Sequence, residues 1–171
     1  GAIFTNRQSS SDVWNRLFGF DADINPSQRL NFSGFYSRSD DATGPAGWAG
    51  GAGFAWRGSI WRANAEYQEV TDTFNPESGF LLRDDIRRFS QSVDFEPRPG
   101  IAPWIRNLSF NLRSEVVYRR DGELATVDSS LRFFGLDTQS GERLTLFGGY
   151  ILKDHLLLWM NFEVEPEEEE E

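Results

Sequence analysis

Cysteine is absent from this chain. That excludes disulfides, zinc–thiolate sites and thiol chemistry. Histidine occurs once, as His155, so no multi-His metal site forms within one chain. No stretch reaches the ~18 consecutive apolar residues of a transmembrane helix, and helical periodicity is nearly missing. No Gly-rich phosphate motif occurs. No Gly-x-Ser-x-Gly elbow accompanies Asp154 and His155, so a Ser-His-Asp triad lacks its usual setting. A basic patch is lacking too, which argues against nucleic acid as a partner.

What is present is the palette of a β protein. Aromatics make up 15% of the 171 residues, Gly occurs 16 times and Met once. Aromatic residues pack well on pleated surfaces, and Gly serves turns. The length suffices for one domain with a sizeable core. The formal charge of −10 is unevenly placed. Glu163, Glu165 and Glu167 to Glu171 lie at the carboxyl end; without them 20 acids face 17 bases. The body, 1–164, reads as one domain. Residues 165–171 read as a disordered acidic tail, because like charges repel and nothing apolar is there to bury. A chain opening on Gly1 reads as a processed product or an excerpt.

Residues 59–70, SIWRANAEYQEV, alternate. Trp61, Ala63, Ala65 and Tyr67 fall on one side of an extended chain and Arg62, Asn64, Glu66 and Gln68 on the other, since strand side chains have period two. The pattern recurs. Leu108, Phe110, Leu112, Ser114, Val116 and Tyr118 oppose Asn107, Ser109, Asn111, Arg113, Glu115 and Val117. Phe18, Phe20, Ala22 and Ile24 oppose Leu17, Gly19, Asp21 and Asp23. Ten strands are expected, near 2–6, 13–24, 29–38, 51–57, 59–70, 86–96, 105–119, 123–135, 142–152 and 155–164. NPSQ (25–28), RGS (57–59), RDGE (120–123) and QSGE (139–142) read as short antiparallel links. SDDATGPAGWAG (39–50) and TDTFNPESGFLLRDD (71–85) read as long loops. HLLLWMNF (155–162) is apolar on both faces through Leu158, which suits a strand buried on both sides or a short helix.

The expected fold is therefore all-β: an antiparallel up-and-down meander of about 8–10 strands forming an outer-membrane-type β-barrel or part of one. A soluble sheet buries its apolar row; a membrane barrel turns that row toward lipid and keeps the polar row inside. Strand length favours the barrel, because ordinary globular strands run ~5–6 residues and membrane strands need ~9–11. Trp61, Ala63, Ala65, Tyr67, Leu108, Phe110, Leu112 and Tyr118 are the expected lipid-facing residues. Trp61 and Tyr67 should sit toward the two interfaces.

The long loops hold the only candidates for a site. In 71–85, Phe74 and Phe80 flank the turn-setting Asn75, Pro76 and Gly79, with Glu77 between them. Both rings are candidates to fold inward as anchors. Arg83, Asp84, Asp85, Arg87 and Arg88 form a mixed-charge cluster. One reading is a loop pinned across a barrel mouth; the other is a ligand or partner site there, since binding residues concentrate on loops of rigid scaffolds. Trp48, in the other long loop, is a candidate sugar-stacking or interfacial aromatic. Asp21, Asp23 and Asn25 copy the first ligand positions of a calcium loop, but Pro26 and Phe32 stand where Gly and Glu are required. No cofactor and no catalytic residue is legible.

FNPESGFLLRDDIRRF (74–89), following WRANAEYQEV, resembles the β-barrel portion of a large, uncharacterised bacterial outer-membrane family. In that family the barrel typically follows a domain like the family-nine carbohydrate-binding modules. GAIFTNR (1–7), LFGFDADI (17–24), EPRPG (96–100), DGELAT (121–126) and SGERLTL (140–146) extend the resemblance over nearly the whole chain. It implies a lipid bilayer as partner, a bacterial outer-membrane location and a carbohydrate as a candidate ligand. It also implies further barrel strands or another chain, because the family barrel continues past FEV (162–164). The carbohydrate-binding module is absent, so sugar binding passes to no residue here. The rival readings are a soluble, secreted or periplasmic β-sandwich or half-barrel that binds a ligand or protein, and part of a carbohydrate-active enzyme.

Overall fold

The computed structural model describes residues 1–10, 13–76, 83–100, 102–152 and 156–165. Alternating side chains and Gly-marked turns give ten strands: β1 (Ala2–Ser10), β2 (Val13–Ser27), β3 (Leu30–Asp41), β4 (Gly47–Arg57), β5 (Trp61–Val70), β6 (Ile86–Phe95), β7 (Ile105–Arg119), β8 (Leu124–Thr138), β9 (Arg143–Leu152) and β10 (Leu156–Glu165). They pair in sequence order as one antiparallel sheet. No helix occurs among the described residues. Every strand has 9 to 15 residues, well beyond the ~5–6 of a globular strand. The sheet is not closed: β1 pairs with β2 alone and β10 with β9 alone.

The links alternate between two rims. Rim A carries the connections 42–46, 71–85 and 120–123; rim B carries 28–29, 58–60, 96–104 and 139–142. Gly122 (φ 96°) and Gly141 (φ 100°) adopt the left-handed conformation that the β7–β8 and β8–β9 turns demand.

Two expectations about links need correction. The 39–50 loop shrinks to 42–46, because Gly47–Gly50 belong to β4. Gly and Ala have weak strand preference, yet both neighbours supply a ladder, pairing Ala49 with Ser37 and with Val70. The NPSQ turn lies later, at 28–29. β2 runs through Asn25 and Pro26 to Ser27 and absorbs the proline in a register shift between Ile24 and Ser27. The segment 155–162 is strand rather than helix from Leu156 onward.

The register carries each local alternation across the sheet. Gly19, Ser37, Ala49, Val70 and Ile86 form one cross-strand row; Phe20, Tyr36, Gly50, Glu69 and Arg87 form the next, on the opposite face. The small core lies on the polar face at rim A. Leu17, Ala49, Val70 and Phe74 cluster there, with Ile86 packed against them.

Candidate functional site

The apolar face is banded. Near rim A a charged band crosses it: Arg38 meets Asp40 at 3.2 Å, while Arg87 and Arg120 meet Glu69 at 3.3 and 3.1 Å. Next to it runs an aromatic row over β2–β4. Phe18, Phe20, Tyr36 and Trp48 follow one another with ring centroids 6.3, 5.7 and 6.0 Å apart. Near rim B a second row crosses β5–β8: Trp61, Phe95, Phe110 and Phe134, at 4.2, 5.8 and 6.2 Å. The register places Ala63, Val93, Leu112 and Leu131 beside this second row on its inward side. Six residues at ~3.3 Å rise put ~20 Å along the strand between Trp61 and Tyr67. That approaches the ~25 Å height of a barrel's apolar band. The face is not uniformly apolar. Ser114 and Ser129 share a hydrogen bond of 2.7 Å beside Gln91.

Nothing among the described residues covers this face. Phe4 is 66% exposed, Phe18 and Trp61 are 52%, and Ile24, Phe32, Leu112 and Tyr118 are exposed as well. The eight expected lipid-facing residues all lie on it.

The polar face opens onto a cavity of about 430 Å³ lined by Asn31, Ser33, Asn64, Glu66, Ser92 and Glu115 among others. A second, of about 260 Å³, continues it to Asp21 and Asp23. Arg88 stands between two acids, at 3.3 Å from Glu66 and 4.0 Å from Glu115. Asn64 donates to Ser92 Oγ at 3.1 Å, and Asn111 donates to Asp94 at 2.7 Å. Asp23 accepts from Asn25 and Asn31 at 2.6 and 2.9 Å. These pairs suit a wet or hydrogen-bonded lining, in which Arg88 Nε is buried without a hydrogen-bond partner among the described residues.

Among the described residues, the loop candidates do not come together in one place. Phe74 folds inward and is buried, as an anchor should be. Asn75 N donates to Ser39 Oγ at 2.9 Å, and Asn75 O accepts from Asn15 Nδ2 at 3.1 Å. Trp48 is not in a loop. It stands in β4 on the apolar face, stacked on Tyr36. Its backbone N donates to Thr71 Oγ1 at 2.8 Å. Arg87 is on that face too, held by Glu69. Arg83 donates to Thr126 Oγ1 at 3.5 Å, Asp84 is exposed, and Asp85 (φ 53°) lends its carbonyl to Arg120 N at 3.2 Å. Glu77 and Phe80 lie outside the described residues. The sheet thus separates Trp48 and Arg87 from Phe74 and Asn75 by its own thickness.

The inward fold of 71–76 needs Gly47. A Cβ there would overlap the backbone of Thr73 and Phe74. The buried hydroxyls of Ser39 and Thr71 and the amide of Asn15 stitch the segment down. Sequence reasoning missed these three polar residues, whose signal exists only once β2 to β5 are assembled in order and the segment after β5 folds back over them.

Together these features define an all-β up-and-down meander with one apolar and one polar face. No family model, curated protein or solved structure matches the chain.

Proposed function

We propose that this chain is a non-enzymatic segment of a bacterial outer-membrane-type β-barrel, with its aromatic face in lipid and its polar face toward the lumen. One observation carries the reading: the apolar rows of successive strands merge into one uncovered surface. In water such a surface is a liability, because monomers rarely expose contiguous apolar patches of more than a few hundred Å². In hydrocarbon it is the required exterior, and paired aromatic rows match the two interfacial girdles of a barrel. A sandwich would need a second layer over Trp61, Leu112 and Tyr118, and the described residues supply none.

Lipid forbids open strand edges, because their N–H and C=O groups would lack partners. The barrel must therefore close. β1 and β10 run antiparallel, so closure onto each other, or through an even number of added strands, keeps an antiparallel ladder. Sugar handling rests on the family resemblance alone and is assigned to no residue.

The absence of Cys allows a direct test. Ala63→Cys and Asn64→Cys are each labelled with an environment-sensitive fluorophore and refolded into vesicles. The probe at 63 should shift to the blue and be quenched by brominated lipid. The probe at 64 should respond to aqueous iodide instead. Equal responses, or the reverse, would overturn the proposal.

A further inference from the structure

At rim B a groove of about 590 Å³ opens between the connection after β6 and the β8–β9 turn. Its walls carry Arg98, Arg106 and Arg143 against Glu96 and Asp137. Both acids are engaged. Asp137 accepts from Arg143 Nε at 2.7 Å and from Asn107 Nδ2 at 3.5 Å. Glu96 pairs with Arg62, outside the groove. Arg98 and Arg106 are exposed and have no acid partner among the described residues.

Backbone devices hold both arginines. Arg98 stands between Pro97 and Pro99. Each ring fixes its own φ, and Pro99 also restricts Arg98 to extended backbone. Pro97 O accepts Leu108 N at 3.0 Å, which ties the segment to β7. Arg106 sits in the register shift between Ile105 and Asn107, and a bulge of this kind re-aims a side chain. The backbone carrying the two guanidiniums is already fixed, so binding need order only their side chains, and their forked donors match tetrahedral oxyanions.

We propose that this groove binds a phosphate-class oxyanion, with Arg98 and Arg106 as its principal donors. With Asp137 paired to Arg143 and Glu96 to Arg62, the two guanidiniums left without an acid partner among the described residues suit a dianion. A free phosphate and the phosphomonoester of a lipid headgroup present the same chemistry. The proposal does not depend on what the apolar face touches.

The test uses the whole chain in maltoside micelles, with inorganic phosphate as titrant followed by calorimetry. In a second arm, phosphatidic acid or phosphatidylcholine is doped into the micelles. Wild type should bind phosphate, or phosphatidic acid in preference to phosphatidylcholine. The first result assigns a soluble ligand and the second a lipid headgroup. The Arg98→Gln/Arg106→Gln variant should lose about tenfold or more in affinity. Arg29→Gln, at the same rim but not lining the groove, should bind as wild type. Circular dichroism of each variant separates lost binding from lost fold. The proposal fails if wild type takes neither probe, if the folded double variant binds unchanged, or if Arg29→Gln weakens binding equally.

Discussion

Leu17 and Phe18 are neighbours on β2, yet Leu17 is 7% exposed and Phe18 52%. The same contrast separates Val70, 1% exposed, from Tyr67, 40%, on β5. On both strands the smaller side chain is buried on the polar face and the larger, aromatic one is left on the apolar face. Folding in water would favour the opposite, because stabilisation scales with the apolar area removed from water. On the proposed reading, hydrocarbon around the sheet would select this inversion. The polar face still needs a small core, but only at rim A, where the chain folds back over it.

Phe74 and Phe18 set that contrast most sharply. Phe74→Ala leaves a cavity above Leu17, Ala49 and Val70 and should cost about 3–5 kcal/mol in a urea melt in micelles. Phe18→Ala leaves none and should cost less than half as much. Equal losses would mean that the apolar face is packed after all. Ala63→Arg against Asn64→Arg comes next. The first should cost about 2–4 kcal/mol when refolded in lipid, and the second much less; equal penalties would remove the distinction between the faces.

Gly122→Ala belongs to neither face. Its left-handed φ predicts a loss of about 1 kcal/mol in lipid and in micelles alike, read from the same melts. A medium-dependent loss would show that the turn senses the bilayer. Glu66→Gln should have the smallest effect, under about 1 kcal/mol, because Arg88 is partly exposed and keeps Glu115. That loss should shrink further in high salt. A large, salt-independent loss would instead mark the Glu66–Arg88–Glu115 row as a dry, structural network.

Much of the strand layout was legible. Residues 59–70 and 105–119 alternate so regularly that period two alone separates Ala63 from Asn64 and Leu112 from Arg113. Gly122 and Gly141 announced their turns. Gly47–Gly50 did not read as strand, since three of the four residues in GWAG are Gly or Ala, which disfavour strands, and only β3 and β5 on either side hold them extended. Of the loop candidates, Phe74 folds inward as the anchor reading required. Trp48 could not be placed, because its face follows from a strand that the sequence hides. Arg106 gave no signal, because a bulge is a property of the pairing and not of one strand.

Local alternation, a one-dimensional property of the chain, determined which side chains share a face and where the tight turns fall. Only the register decided the rest: that separate apolar rows merge into one surface, that aromatic rings from four strands line up at rim B, and that Ser39, Asn15 and Gly47 meet to hold Phe74 inward. Those are relations between strands far apart in sequence. Hydrogen-bond pairing fixes them, and no single stretch of residues encodes them.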